Sequence, residues 1–181
     1  MKIEFTAGKS FKVCLSITGV MFILNVGVLI AQFGFDVPAK NYFVHLFNME
    51  YESNLPSIWS AVQLLYAAIL LYVLSRQMFD ENNKYKWLWG LLSLAFFYLC
   101  LDEAFELHEK SMNITHQLLN TGWIFYYSWV IPAGLALFIM GIVYLKFTLD
   151  LPERTRNLFI ISAIIYAGSA IFFELLEGPI E

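Results

Sequence analysis

Asp102, Glu103, Glu106, His108 and Glu109 crowd the end of a largely apolar run over residues 87–101. Glu174 and Glu177 close a second run, 158–173, in the same way. Like charges this dense in a poor dielectric do not all ionise unaided. Either some stay protonated or a cation sits among them. Oxygen donors favour magnesium, calcium, manganese or iron, and a histidine shifts the preference towards zinc or iron. On this reading Asp102, Glu106, His108 and Glu174 are the candidate ligands of a divalent metal ion. Glu103 and Glu177 are then the candidate general bases for a metal-bound water, whose pKa the ion lowers.

The segments that carry these groups set their depth. A membrane helix needs about 20 apolar residues to cross a hydrocarbon core of roughly 30 Å. At about 1.5 Å per residue the two runs reach only ~22 and ~24 Å before their first acid. If both enter from one side, both sets of carboxylates arrive just short of the far interface, where ionisable groups are costly and by default functional. On a continuous helix Asp102, Glu106 and Glu109 fall within about 60° of arc with Glu103 beside them. His108 points roughly 120° away and joins them only if the helix ends or unwinds there. Gln63, Tyr126, Tyr127 and Ser128 are supporting polar groups expected at the same depth, and Glu52 and Asn54 lie in the connection before the second span. Asn25 sits deeper, and it and Gln63 are expected to hydrogen-bond between membrane helices.

Composition agrees with a chain built for lipid. Its 181 residues are 59% hydrophobic and 14% charged, against roughly 25% charged in soluble domains. Five apolar segments, 13–33, 57–75, 87–109, 123–147 and 158–177, make the expected fold all-α: a polytopic bundle of five transmembrane helices forming a single domain over 1–181. The first segment is longer than the 7–15 apolar residues of a signal peptide, so an uncleaved span is expected. The connections leave no room for a soluble domain. The longest, 34–56, exceeds an ordinary structureless loop and carries His45, Glu50, Glu52 and Asn54, a candidate lid.

Charge sets the orientation. Lys2, Lys9, Lys12, Arg76, Lys84, Lys86, Lys146, Arg154 and Arg156 fall on one side of a five-span chain, and only Lys40 and Lys110 on the other. The basic side is cytoplasmic, which puts the N-terminus inside, the C-terminus outside and the carboxylate cluster near the outer face. Tyr85, Trp87 and Trp89 are expected at the inner interface, and Trp59, Trp123, Tyr126 and Tyr127 near the outer one. Cys14 and Cys100 lie ~20 Å apart in depth, too far for a disulfide, and read as packing residues. Nothing in a net charge of −4 points to nucleic acid.

The segment Leu101-Asp102-Glu103-Ala104-Phe105-Glu106-Leu107-His108-Glu109 resembles the Leu-Asp-Glu…His-Glu signature of small, poorly characterised multi-span bacterial membrane proteins. Glu52-Ser53-Asn54-Leu55-Pro56 and Glu174…Glu177-Gly178 resemble the same group. This resemblance implies a multi-pass protein of the bacterial inner membrane and no established activity. Asp102 and Glu103, with Glu52 and Asn54 more loosely, are also similar to the Leu-Asp-Glu helix and early loop of alkaline-ceramidase-like membrane hydrolases. That second resemblance implies zinc-dependent hydrolysis. The chain departs from it in having five spans rather than seven and no His-x-x-x-His pair near its end.

The ferritin-like Glu-x-x-His pattern, a His-Glu-x-x-His zincin motif and a Gly-x-Ser-x-Gly elbow are all absent from the sequence. Three expectations follow. The first is a metal-dependent enzyme, hydrolase or oxidoreductase, acting on a lipid or apolar substrate. The second is a component of a proton or cation pathway. The third is an accessory or assembly subunit whose cluster serves another membrane protein.

Overall fold

The structure, a computed structural model, describes residues 7–51, 53–107 and 130–176. Among these every regular element is an α-helix: α1 (Ala7–Gly34), α2 (Tyr42–Phe47), α3 (Leu55–Asp80), α4 (Lys86–Phe105), α5 (Val130–Leu149) and α6 (Glu153–Leu176). Among the described residues four helices, α1, α3, α4 and the 132–149 stretch of α5, are long and apolar enough to cross a membrane. No more than 22% of any of their apolar windows is buried by the chain itself. Exposed apolar surface costs roughly 25 cal/mol per Å² in water, so these helices are suited to contact with a lipid bilayer. The helix α6 has 24 residues, a length of about 36 Å.

The helices overrun the apolar segments where helix-forming polar residues continue them. Thus α1 takes in Lys9 and Lys12, and α3 runs on to Asp80. The helix α4 does the opposite. It stops at Phe105 instead of continuing to Glu109, because Glu106 adopts a left-handed backbone, φ 54°.

The described residues fall into two compact units, Met1–Arg76 with Gly90–Glu106, and Gln77–Trp89 with Leu107–Glu181. In the first, α1 and α3 run antiparallel: Trp59 Nε1 donates to Thr18 Oγ1 at 3.0 Å, and Tyr66 Oη to Ser10 Oγ at 3.1 Å. Buried Ala61, Leu64 and Cys100, with Phe96 and Leu99 against them, join α3 to α4. Cys100 is therefore a core residue, and both cysteines are free thiols. One turn deeper, Ser93 Oγ donates to the Ala68 carbonyl at 2.8 Å. Near the far end Gly90 comes so close to Ser75 that a Cβ on it would lie 3.1 Å from the serine Oγ.

The connection between α1 and α3 is packed and hydrogen-bonded. Asn41 caps α2 by accepting from the Phe43 N–H, and Val44 on α2 is 1% exposed. Asn25, expected to bond to another helix, accepts the Met49 N–H at 2.9 Å and ties the loop to α1. The Asn54 amide donates to the carbonyls of Asn48 and Tyr51. Its oxygen caps α3 by accepting from the Ser57 N–H, while Ser57 Oγ accepts the Asn54 N–H in return. This reciprocal cap satisfies two backbone donors that a helix start otherwise leaves open.

The second unit is organised on Phe147, which is fully buried. Tyr85, Trp89, Tyr144 and Phe159 meet it edge-on, with centroids 4.8–6.1 Å away, the geometry aromatic quadrupoles favour. Trp89, expected in the interfacial belt, is thus a core residue at 8% exposure. Trp87 remains exposed, its ring edge-on to Phe79. At the solvent edge of this unit Lys84 and Tyr85 both donate to Asp150 Oδ2, at 2.6 and 2.5 Å. Those bonds hold the Asp150 carboxyl below its ordinary pKa of 3.8, Lys84 foremost, and hold Lys84 above its ordinary 10.5.

Candidate functional site

Asp102 and Glu103 occupy the last turn of α4, and Glu106 follows the point where that helix breaks. The break turns the Glu106 side chain onto the start of α3, where its Oε1 accepts from Ser53 Oγ at 2.5 Å. Ser53 is itself left-handed, φ 55°. Two non-glycine residues in a sparsely populated backbone region, joined across 53 positions of sequence, are held only when their surroundings fix them. Asp102 is half-buried, with its Oδ1 fully inside.

Beside this point a groove of about 210 Å³ runs between α3 and α4. Ser53, Ser57 and Glu103 line it at the end where α4 stops, and Ile58, Ala61, Val62 and Leu65 line it further along α3. Ser53 therefore both holds Glu106 and faces the groove.

Of the sequence candidates, Asp102 and Glu103 lie in the last turn of α4 and Glu106 lies just past it. The helical arc that placed Glu106 over Asp102 does not form, because α4 ends first. Asn54 commits its amide to the loop and the α3 cap, and Gln63 is half-buried on α3. Glu174 lies on α6 in the other unit, and nothing is described of its side chain. Glu52, His108, Glu109, Tyr126, Tyr127, Ser128 and Glu177 lie outside the described residues. Among the described residues no group of three or more His, Cys, Asp or Glu side chains is arranged to hold a metal ion.

Ser53 and Ser57 were not singled out from sequence. The signal for Ser57 is its position three residues after an Asn that precedes a Leu-Pro helix start. For Ser53, which owes its place to a left-handed backbone without glycine, the sequence carries none.

The profile of a family described as a domain of unknown function (DUF8692) matches residues 14–181. The chain belongs to that family. The matched stretch takes in all of the first unit's site, from Ser53 to Glu106. No curated protein and no solved structure matches the chain.

Proposed function

We propose that this is a five-span protein of the bacterial cytoplasmic membrane, N-terminus inside and C-terminus outside, that binds a divalent cation through carboxylates at the outer end of α4. The observation that carries the reading is the helix break at Glu106. On an unbroken helix His108 faces away from Asp102. The sequence lets His108 join the cluster only where the helix ends, and α4 ends at Phe105. Asp102 and Glu106 are the proposed ligands from the described residues, with His108 completing the set. Magnesium, calcium and manganese suit the oxygens, and zinc or iron suits the set with histidine. Glu103, which lines the groove beside the cluster, would serve as the general base for water at the ion.

The test is a calorimetric titration of chelator-treated protein in detergent with each of these cations. Saturable binding by the parent, weakened at least about tenfold by Glu106→Gln at unchanged helicity, supports the site. Equal binding by parent and variant removes Glu106 from it.

A further inference from the structure

The groove and the carboxylate end of α4 share a polarity that a lipid also has. Ser53, Ser57 and Glu103 stand at the end where the membrane helices begin and stop. From there Val62 and Leu65 carry the groove along α3, eight residues from Ser57 to Leu65, about 12 Å of helix. Val62 is 48% exposed and Leu65 38%, so the groove opens on the apolar flank that a bilayer covers. At about 210 Å³ it lies below the roughly 300–1,000 Å³ of pockets that enclose whole small molecules. A helix, about 10–12 Å across with its side chains, is too wide for a slot between two adjacent helices. A single hydrocarbon chain is not.

We propose that this groove seats one acyl chain of a lipid from the adjoining leaflet, its head group held at Ser53, Ser57 and Glu103. Charge selects the head. Glu103 lines the mouth, with Asp102 on the same turn and Glu106 bonded to Ser53. Glu103 favours an ammonium-bearing head over a purely anionic one, since opposite charges across a partly dry site attract and like charges cost free energy. The chain's apolar contacts supply affinity, and the two serine hydroxyls and Glu103 supply orientation. This rests on the carboxylate-site reading only for its outward orientation; the groove and its lining stand without a bound metal.

The experiment reloads delipidated protein from vesicles of equal parts phosphatidylethanolamine and phosphatidylglycerol and counts retained lipid by native mass spectrometry. The parent is expected to retain the ethanolamine lipid in preference to the glycerol lipid. Val62→Trp, which plugs the groove from an already exposed position, lowers retention about tenfold, and Leu65→Trp is the second plug should the first alter folding. Glu103→Gln keeps a chain in the groove but loses the head-group preference. Equal retention by parent and both folded plugs overturns the groove assignment, and equal retention of the two lipids by the parent overturns the head-group assignment. Metal content measured on the same samples separates the two proposals, because Val62→Trp leaves Asp102, Glu103 and Glu106 in place.

Discussion

Ser53 and Glu106 each hold a left-handed backbone that costs an L-residue about 1 kcal/mol, and the hydrogen bond between them offsets that cost. Substitution at Ser53 therefore has an unusual order. Ser53→Ala loses the bond and keeps the strain, whereas Ser53→Gly loses the bond but is at ease at φ 55°. Thermal melts in detergent are expected to show Ser53→Ala less stable than Ser53→Gly by about 1 kcal/mol; the reverse order would mean the serine backbone is unstrained. The acids themselves were legible in the sequence, because an apolar run too short to span marks where the charge must lie. The turn at Glu106 was not. Ala104-Phe105-Glu106-Leu107 contains neither glycine nor proline, the usual stop signals, and the break depends on a partner 53 residues away. Asn25 is similar: its type announced a hydrogen bond within the membrane region, but not that a loop amide would be the donor.

At the level of elements, the pairing of α3 with α4 turns on small residues. Gly90 admits the Ser75 hydroxyl at a distance that a methyl group fills uncomfortably. Gly90→Ala gains helix propensity but must push Ser75, which is 4% exposed and has little room to move. The net expectation is a loss of about 1 kcal/mol, largely restored in Gly90→Ala/Ser75→Ala. No rescue in the double variant would show that the glycine serves another purpose. Helix existence was readable from the apolar runs, and helix length less so, because polar helix formers carry α1 and α3 past their apolar segments. The length of the connection between α1 and α3 set it apart from an ordinary loop. Its actual organisation rests on Asn41, Asn48 and Asn54 capping and bridging backbone groups, interactions that a residue count does not foretell.

For the molecule as a whole, charge placement supplies a pH response. The Lys84–Tyr85–Asp150 cluster joins the α3–α4 and α5–α6 turns within the second unit. Asp150 has its pKa depressed, chiefly by Lys84, so its contribution is complete above its ordinary 3.8 and is lost as pH falls through the lower folded value. Lys84 has its pKa raised, chiefly by Asp150, so its contribution is complete below its ordinary 10.5 and is lost as pH rises through the higher folded value. Amide exchange of residues 83–85 is expected to be independent of pH between those limits, beyond the intrinsic base dependence, and to accelerate in strong acid. Asp150→Asn should show the accelerated exchange already at neutral pH; wild-type rates in that variant would mean the cluster holds nothing.

The central functional claim is that carboxylates at the end of α4 bind a cation. It is tested most directly by elemental analysis of detergent-purified protein beside an Asp102→Asn/Glu106→Gln variant of the same fold. A divalent metal in stoichiometric amount in the parent and lost from the variant is the predicted result. The same trace content in both would contradict the account.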